Sequence, residues 1–155
     1  MAQPTQEAGR LDEARLVLIV VGAHLRAEVA ARPLAYRLQT RIKKWCRDHA
    51  VESQVPLEPV VCCDIWYINH PSLHKHAAIS LGEPTVNALS AYFHDRLHAA
   101  LVRDQRLIIQ LDPTFEDLRV CLWGTSDNLT VEALTLFECR YGDAYLRAAT
   151  TERLP

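Results

Sequence analysis

The sequence predicts an α/β fold: a Rossmann-like, three-layer α/β/α sandwich around a mainly parallel sheet of about five strands, with a C-terminal β-hairpin. Three observations carry this reading. Val60-Val61-Cys62-Cys63 and Ala77-Ala78-Ile79-Ser80-Leu81 are short, nearly unbroken apolar runs, as expected of strands buried on both faces. Each run ends in a polar or glycine-bearing turn, at Asp64 and at Gly82. The second then opens directly into an amphipathic pattern, so that strands feed helices.

A chain of 155 residues suits one domain, assigned to residues 14–150. Residues 1–13, polar and rich in Gln, Glu and Asp, read as a flexible N-terminal tail without the apolar core of a secretion signal. The net charge of -2 argues against a protein that wraps nucleic acid, whose phosphates call for a basic surface. The longest apolar run, Leu16 to Val21, falls far short of the roughly 20 residues that cross a bilayer. No membrane partner and a cytoplasmic location are therefore expected. Cys46, Cys62, Cys63, Cys121 and Cys139 are odd in number and lack Cys-x-x-Cys spacing, which predicts buried free thiols.

The first strand is expected at Arg15 to Gly22. Ala23 to Arg32 reads as a loop folded over the sheet edge, with Pro33 in the first turn of a helix, where its missing N–H does no harm. Leu34, Leu38, Ile42 and Trp45 recur at helical spacing and form that helix's buried face. Arg37, Arg41 and Lys44, with Lys43 and Arg47 beside them, make a basic stripe that is either a solvated face or a contact for an acidic partner. Pro56 and Pro59, within Val51 to Pro59, break the helix before the second strand. Ile65 to His76 is near the minimum for a parallel crossover, with one helical turn expected at Pro71 to Lys75; the alternative is a hairpin whose second strand reaches Tyr67.

The third strand, Ala77 to Leu81, is expected to lead into a helix from Thr85 to Val102 through the stripe Val86, Leu89, Phe93, Leu97 and Leu101. Leu107 to Leu111 and Leu118 to Trp123 are two further strands, joined by a hairpin link at Asp112 to Asp117. If the first of these is parallel and the second antiparallel, the turn Gly124 to Asp127 lies at the opposite sheet edge from Gly82. A last helix runs from Asp127 or Asn128 to Ala149, with Leu134, Phe137, Tyr141, Tyr145 and Ala148 inward. Gly142 within it predicts a close backbone contact or a bend.

Ligands of open parallel sheets sit beyond the carboxyl ends of the strands. Asp64, His24 and Glu83 are accordingly the catalytic candidates, and Gly82, Thr85, Asn87, Asn69 and His70 the ligand-binding ones. Asp64 is either a general base, metal ligand or ribose acceptor, or a cap for the following turn. Free N–H groups at the Gly82 turn suit an anion, but Glu83 would repel one and Pro84 removes a donor. Neither a Walker loop nor a Gly-x-Gly-x-x-Gly fingerprint is present, and no motif names a cofactor. Trp66 and Tyr67 either stack on a planar ligand or cover apolar surface.

His94 and His98, four apart on the expected helix, have metal-gripping spacing but lack the Glu of a His-Glu-x-x-His site, and His70, His74 and His76 form a separate cluster; no metal ligand set is assigned. No base accompanies Ser72, Ser80 or Ser90. The reading is of a small polar ligand bound at the edge made by His24, Asp64 and the Gly82 to Asn87 turn, with acid–base or hydrolytic chemistry. The alternatives are a non-catalytic protein-interaction module, docking through the basic helix or the hairpin, and a divalent-metal-dependent hydrolase. Edge strands make a homodimer an expected partner arrangement.

Overall fold

A computed structural model describes residues 15–50 and 56–151. The tail and most of the helix-breaking segment before the second strand lie outside the described residues. Those described form an α/β fold with a six-stranded mixed sheet in the order β2-β1-β3-β6-β5-β4. Strand β1 (Arg15–Val21) lies between β2 (Leu57–Cys63) and β3 (Ala77–Leu81), parallel to both, and β3 is parallel to β6 (Arg119–Gly124). Beyond β6 the sheet turns antiparallel through β5 (Leu107–Gln110) to β4 (Ala99–Arg103). The sheet thus has one strand more than expected.

Side chains of a strand alternate between faces, so an unbroken apolar run serves two cores at once. Val17, Ile19 and Val21 of β1 point into one core, Leu18 and Val20 into the other, and all five are fully buried. Burying each such side chain contributes about 1.5–3 kcal/mol. The first core is roofed by three helices, α1 (Leu25–Asp48), α4 (Asp127–Arg140) and α5 (Gly142–Thr151). Among the described residues, the α-helices that roof the second are α2 (Asp64–Ile68) and α3 (Ala88–His94), of 5 and 7 residues, joined by Leu73 of a 3-10 turn at Pro71–Leu73. The molecule therefore has a thick and a thin face.

Several expected boundaries move. Helix α1 begins eight residues before Pro33, where a loop was expected, and His24 caps it through Nδ1, which accepts from Arg26 N at 3.1 Å. Proline inside a helix costs about 3 kcal/mol, but here Ala27, Ala31 and Ala35, small and buried, bring the helix close onto the sheet and hold the extra turns. Pro59 lies within β2, at the sheet edge. Its carbonyl accepts from Gln39 Nε2 at 3.0 Å on the side away from β1, and a strand residue's N–H points the same way as its C=O, so no ladder bond is lost.

The expected helix from Thr85 to Val102 ends at His94, and Ala99–Arg103 pairs with β5 instead. The pairing is set by a two-residue turn: Asp104 and Gln105 both have positive φ, 55° and 56°, and Arg106 N donates to Arg103 O at 3.0 Å. This is type I′ geometry, whose twist matches that of paired strands. The antiparallel link between β5 and β6 falls where expected and is organised by Asp112, which accepts from the N–H groups of Thr114, Glu116 and Asp117. Because β6 and not β5 is parallel to β3, the Gly124 to Asp127 turn lies at the same sheet edge as Gly82.

The last expected helix is two. Ser126, not Asp127 or Asn128, caps α4, and the axis breaks at Tyr141 before Gly142 opens α5. A Cβ at Gly142 would sit 3.6 Å from Phe137 O, an ordinary contact, so the glycine marks the bend and not a close approach. Among the described residues, no helix is long and apolar enough to cross a membrane.

Candidate functional site

The carboxyl ends of β1, β2 and β3 meet where the chain leaves β1 toward one sheet edge and arrives at β3 on the other side, the position at which such sheets hold ligands. Two expected site residues do lie there, both buried. Asp64, 4% exposed, opens α2 directly after β2, and its Oδ1 accepts from Ala23 N at 3.0 Å and from Ile65 N at 2.7 Å. Its Oδ2 accepts from Ala88 N at 2.7 Å. One carboxylate thus ties together the loop after β1, the start of α2 and the start of α3.

Asn87, 1% exposed, spans the gap between the strands: Nδ2 donates to Val20 O of β1 at 3.2 Å and to Leu81 O of β3 at 3.1 Å. Its Oδ1 caps α3 by accepting from Leu89 N and Ser90 N. The turn before it presses onto the loop after β1, since a Cβ on Gly22 would lie 1.8 Å from Val86 O. The crevice is therefore packed with the chain's own groups.

The other candidates are dispersed. His24 is spent on the α1 cap, and Glu83 pairs with Arg26 at 3.6 Å. Gly82 and Glu83 share with Arg26, Gly124 and Ser126 a cleft of about 40 Å³, against the roughly 300–1,000 Å³ of small-molecule sites. Thr85 is exposed on the Gly82 turn. Asn69 and His70 follow α2; the His70 ring leans on Trp66 at 4.7 Å and its Nδ1 donates to Trp66 O at 2.6 Å.

His94 ends α3 and His98 lies outside any helix, so the four-residue spacing does not put them on one helical face. Among the described residues no group of three His, Cys, Asp or Glu side chains is placed to hold a metal ion. Five free thiols are present: Cys62 and Cys121 are buried, Cys139 is exposed. Burial pushes the Cys62 and Cys121 thiols up to about 12, far from the thiolate a nucleophile needs.

The thin face presents a different surface. Ile65, Trp66 and Ile68 of α2 and Tyr92 of α3 are 56%, 43%, 40% and 49% exposed. Between the two helices opens a cavity of about 440 Å³ lined by Tyr67, Ile68, His74, Leu89, Tyr92 and Phe93, with Arg119 at its wall. Its shape is fixed from beneath. His74 stacks on Tyr67 at 4.7 Å and donates from Nε2 to Tyr67 O, and Arg96 lies 3.8 Å over the Tyr92 ring. Burial pushes the Tyr67 phenol up to about 12, keeping it neutral. Arg119 is held in two-pronged contact by Asp117, whose carboxyl burial would raise but the guanidinium holds below its ordinary value.

Of the residues at this surface, sequence reasoning singled out Trp66, Tyr67, His70 and His74. It passed over Ile65, Ile68 and Tyr92. No sequence signal marked them, because which side chains of the five-residue helix turn outward is set by its packing: Tyr67 is buried, whereas Ile65 and Ile68 are exposed. No family model, curated protein or solved structure matches the chain.

Proposed function

We propose that this protein is an interaction module that docks a partner polypeptide on its thin face, with apolar anchor side chains of the partner seated between α2 and α3. The observation that carries the reading is a cavity of about 440 Å³ with the exposed Ile68 and Tyr92 in its lining, on a face where Ile65 and Trp66 of the same short helix α2 are exposed as well. Isolated exposed apolar residues are ordinary on a protein surface; exposed apolar and aromatic side chains in the lining of a preformed cavity suit a docking site. Trp and Tyr are also the residues in which binding energy concentrates. The cationic groups beside this surface are Arg96, over the Tyr92 ring, and Arg119 at the cavity wall, paired with Asp117; a segment with an acidic residue next to its apolar anchor would meet Arg96.

The alternative of a small polar ligand at the strand ends has the fold position in its favour. The carboxylate and the amide there are already spent on backbone groups.

The test is selection from a random peptide display library, followed by affinity measurement. Enriched peptides are expected to carry a bulky apolar residue beside Asp or Glu, and to lose at least tenfold in affinity, about 1.4 kcal/mol, on Trp66→Ala or Tyr92→Ala. Both side chains are half-exposed, so the circular dichroism spectrum should not change. Failure to enrich any peptide, or equal affinity for wild type and both variants, would overturn the reading. Dimerisation in sedimentation that both variants abolish would make the partner a second copy of the chain.

A further inference from the structure

The cavity between α2 and α3 carries polar groups that apolar anchors alone leave unused. Its apolar walls are Ile68 of α2 and Leu89, Tyr92 and Phe93 of α3. Tyr67, His74 and Arg119 complete the lining, and none of these side chains is acidic.

Tyr67 is 3% exposed, and its hydroxyl has no hydrogen-bond partner among the described residues. Polar side-chain atoms sealed in the interior without a partner occur at His76, Gln110, Trp123 and Glu138; the Tyr67 hydroxyl is not one of them, so it is open to the cavity that its residue lines. Burial keeps the phenol neutral, pushed up to about 12, and therefore an O–H donor. Arg119 offers a second donor. Its Nε and Nη2 are taken by Asp117, whereas Nη1 has no partner among the described residues. Asp117 does not line the cavity, so the pair turns its cationic member toward it. The Arg119 charge acts on the Tyr67 phenol, opposing the upward push of burial, and the two donors thus stand within electrostatic reach of one another.

An apolar anchor alone would cover these donors without satisfying them, which costs binding energy. A carboxylate brings two acceptor oxygens, and charge-assisted bonds to it are the stronger kind. An internal stretch of chain has to enter and leave the cavity by one mouth. A chain end enters once, and it joins an apolar side chain to a carboxylate within a single residue.

We propose, on the premise that the thin face docks a polypeptide, that the partner segment ends in this cavity: its C-terminal residue places an apolar side chain among Ile68, Leu89, Tyr92 and Phe93, and its terminal carboxylate accepts from the Tyr67 hydroxyl and Arg119 Nη1.

Random peptides displayed with free carboxyl ends are selected against the protein, and the tightest binders are synthesised in pairs, one ending in a carboxylate and the other in a carboxamide. Fluorescence anisotropy is expected to show the carboxamide form binding about tenfold more weakly. Tyr67→Phe, which removes the hydroxyl and keeps the ring, and Arg119→Gln should each weaken the carboxylate form and shrink its advantage. Arg119→Gln also breaks the pair with Asp117, but a purely structural disturbance would lower both forms alike. Equal affinity of the two forms for wild type overturns the carboxylate site; if Trp66→Ala and Tyr92→Ala still weaken both forms, the docking reading stands without it. A carboxylate preference undiminished by Tyr67→Phe or by Arg119→Gln also overturns it. Selection of no peptide, or binding indifferent to all four substitutions, overturns the site and the docking reading together.

Discussion

Asp64 makes a specific case for how a single side chain organises a sheet edge. Its carboxylate accepts three backbone N–H groups from three segments, and charge-assisted bonds of this kind are each worth about 1.5–3 kcal/mol. Asp64→Asn turns an amide N–H₂ toward backbone donors, and urea denaturation should show a loss of about 2–3 kcal/mol. Gly22→Ala should cost about 3 kcal/mol or more, because the Cβ would fall 1.8 Å from Val86 O. The position of Asp64 at a strand end was legible from the sequence, since an acidic residue closing an apolar run marks such an end. Its occupation was not, because Ala23 and Ala88 are distant in sequence and donate through backbone groups that no side-chain pattern encodes.

His76 yields a pH dependence at the same scale. Burial, with Lys75 beside it, holds its imidazole below the ordinary value of 6.5, and Nδ1 is buried without a hydrogen-bond partner among the described residues. The unfolded chain therefore takes up this proton before the folded one does. The contribution is whole above about pH 6.5 and is lost as pH falls through that value toward the lower folded one. The melting temperature of wild type should drop between pH 7.5 and 5 by more than that of His76→Gln.

At the scale of elements, strands were more legible than helix boundaries. Buried runs such as Ala77 to Leu81 are short and bounded by turn residues, so their ends follow from composition. Helices α1 and α3 were misjudged in opposite directions. Pro33 looked like a helix start but is carried inside α1 by packing of Ala27 and Ala31. Leu97 and Leu101 continued the α3 stripe in sequence while the chain had already turned to form β4. The type I′ turn that makes β4 possible lacks the usual Asn-Gly or Asp-Gly signal, and Gln105 bears a φ of 56° that favours glycine. Gln105→Gly should accordingly raise stability by about 0.5–1 kcal/mol in thermal or urea unfolding.

For the whole molecule, the unequal roofing of the sheet is the feature that matters. Three helices close the thick face, whereas two short ones leave Ile65, Trp66, Ile68 and Tyr92 exposed, Ile68 and Tyr92 in the lining of a cavity. The α/β class was legible from buried strands feeding helices; the thin face was not, because it depends on the early end of α3 and on where α2 places its side chains. The most direct measurement is hydrogen exchange of the protein with and without the tightest-binding peptide selected against it. Slowed exchange confined to residues 64–76 and 88–97 is the expected result. Slowed exchange at residues 22–27, 82–87 and 124–130, with 64–76 unchanged, would place binding at the strand ends and contradict the docking assignment.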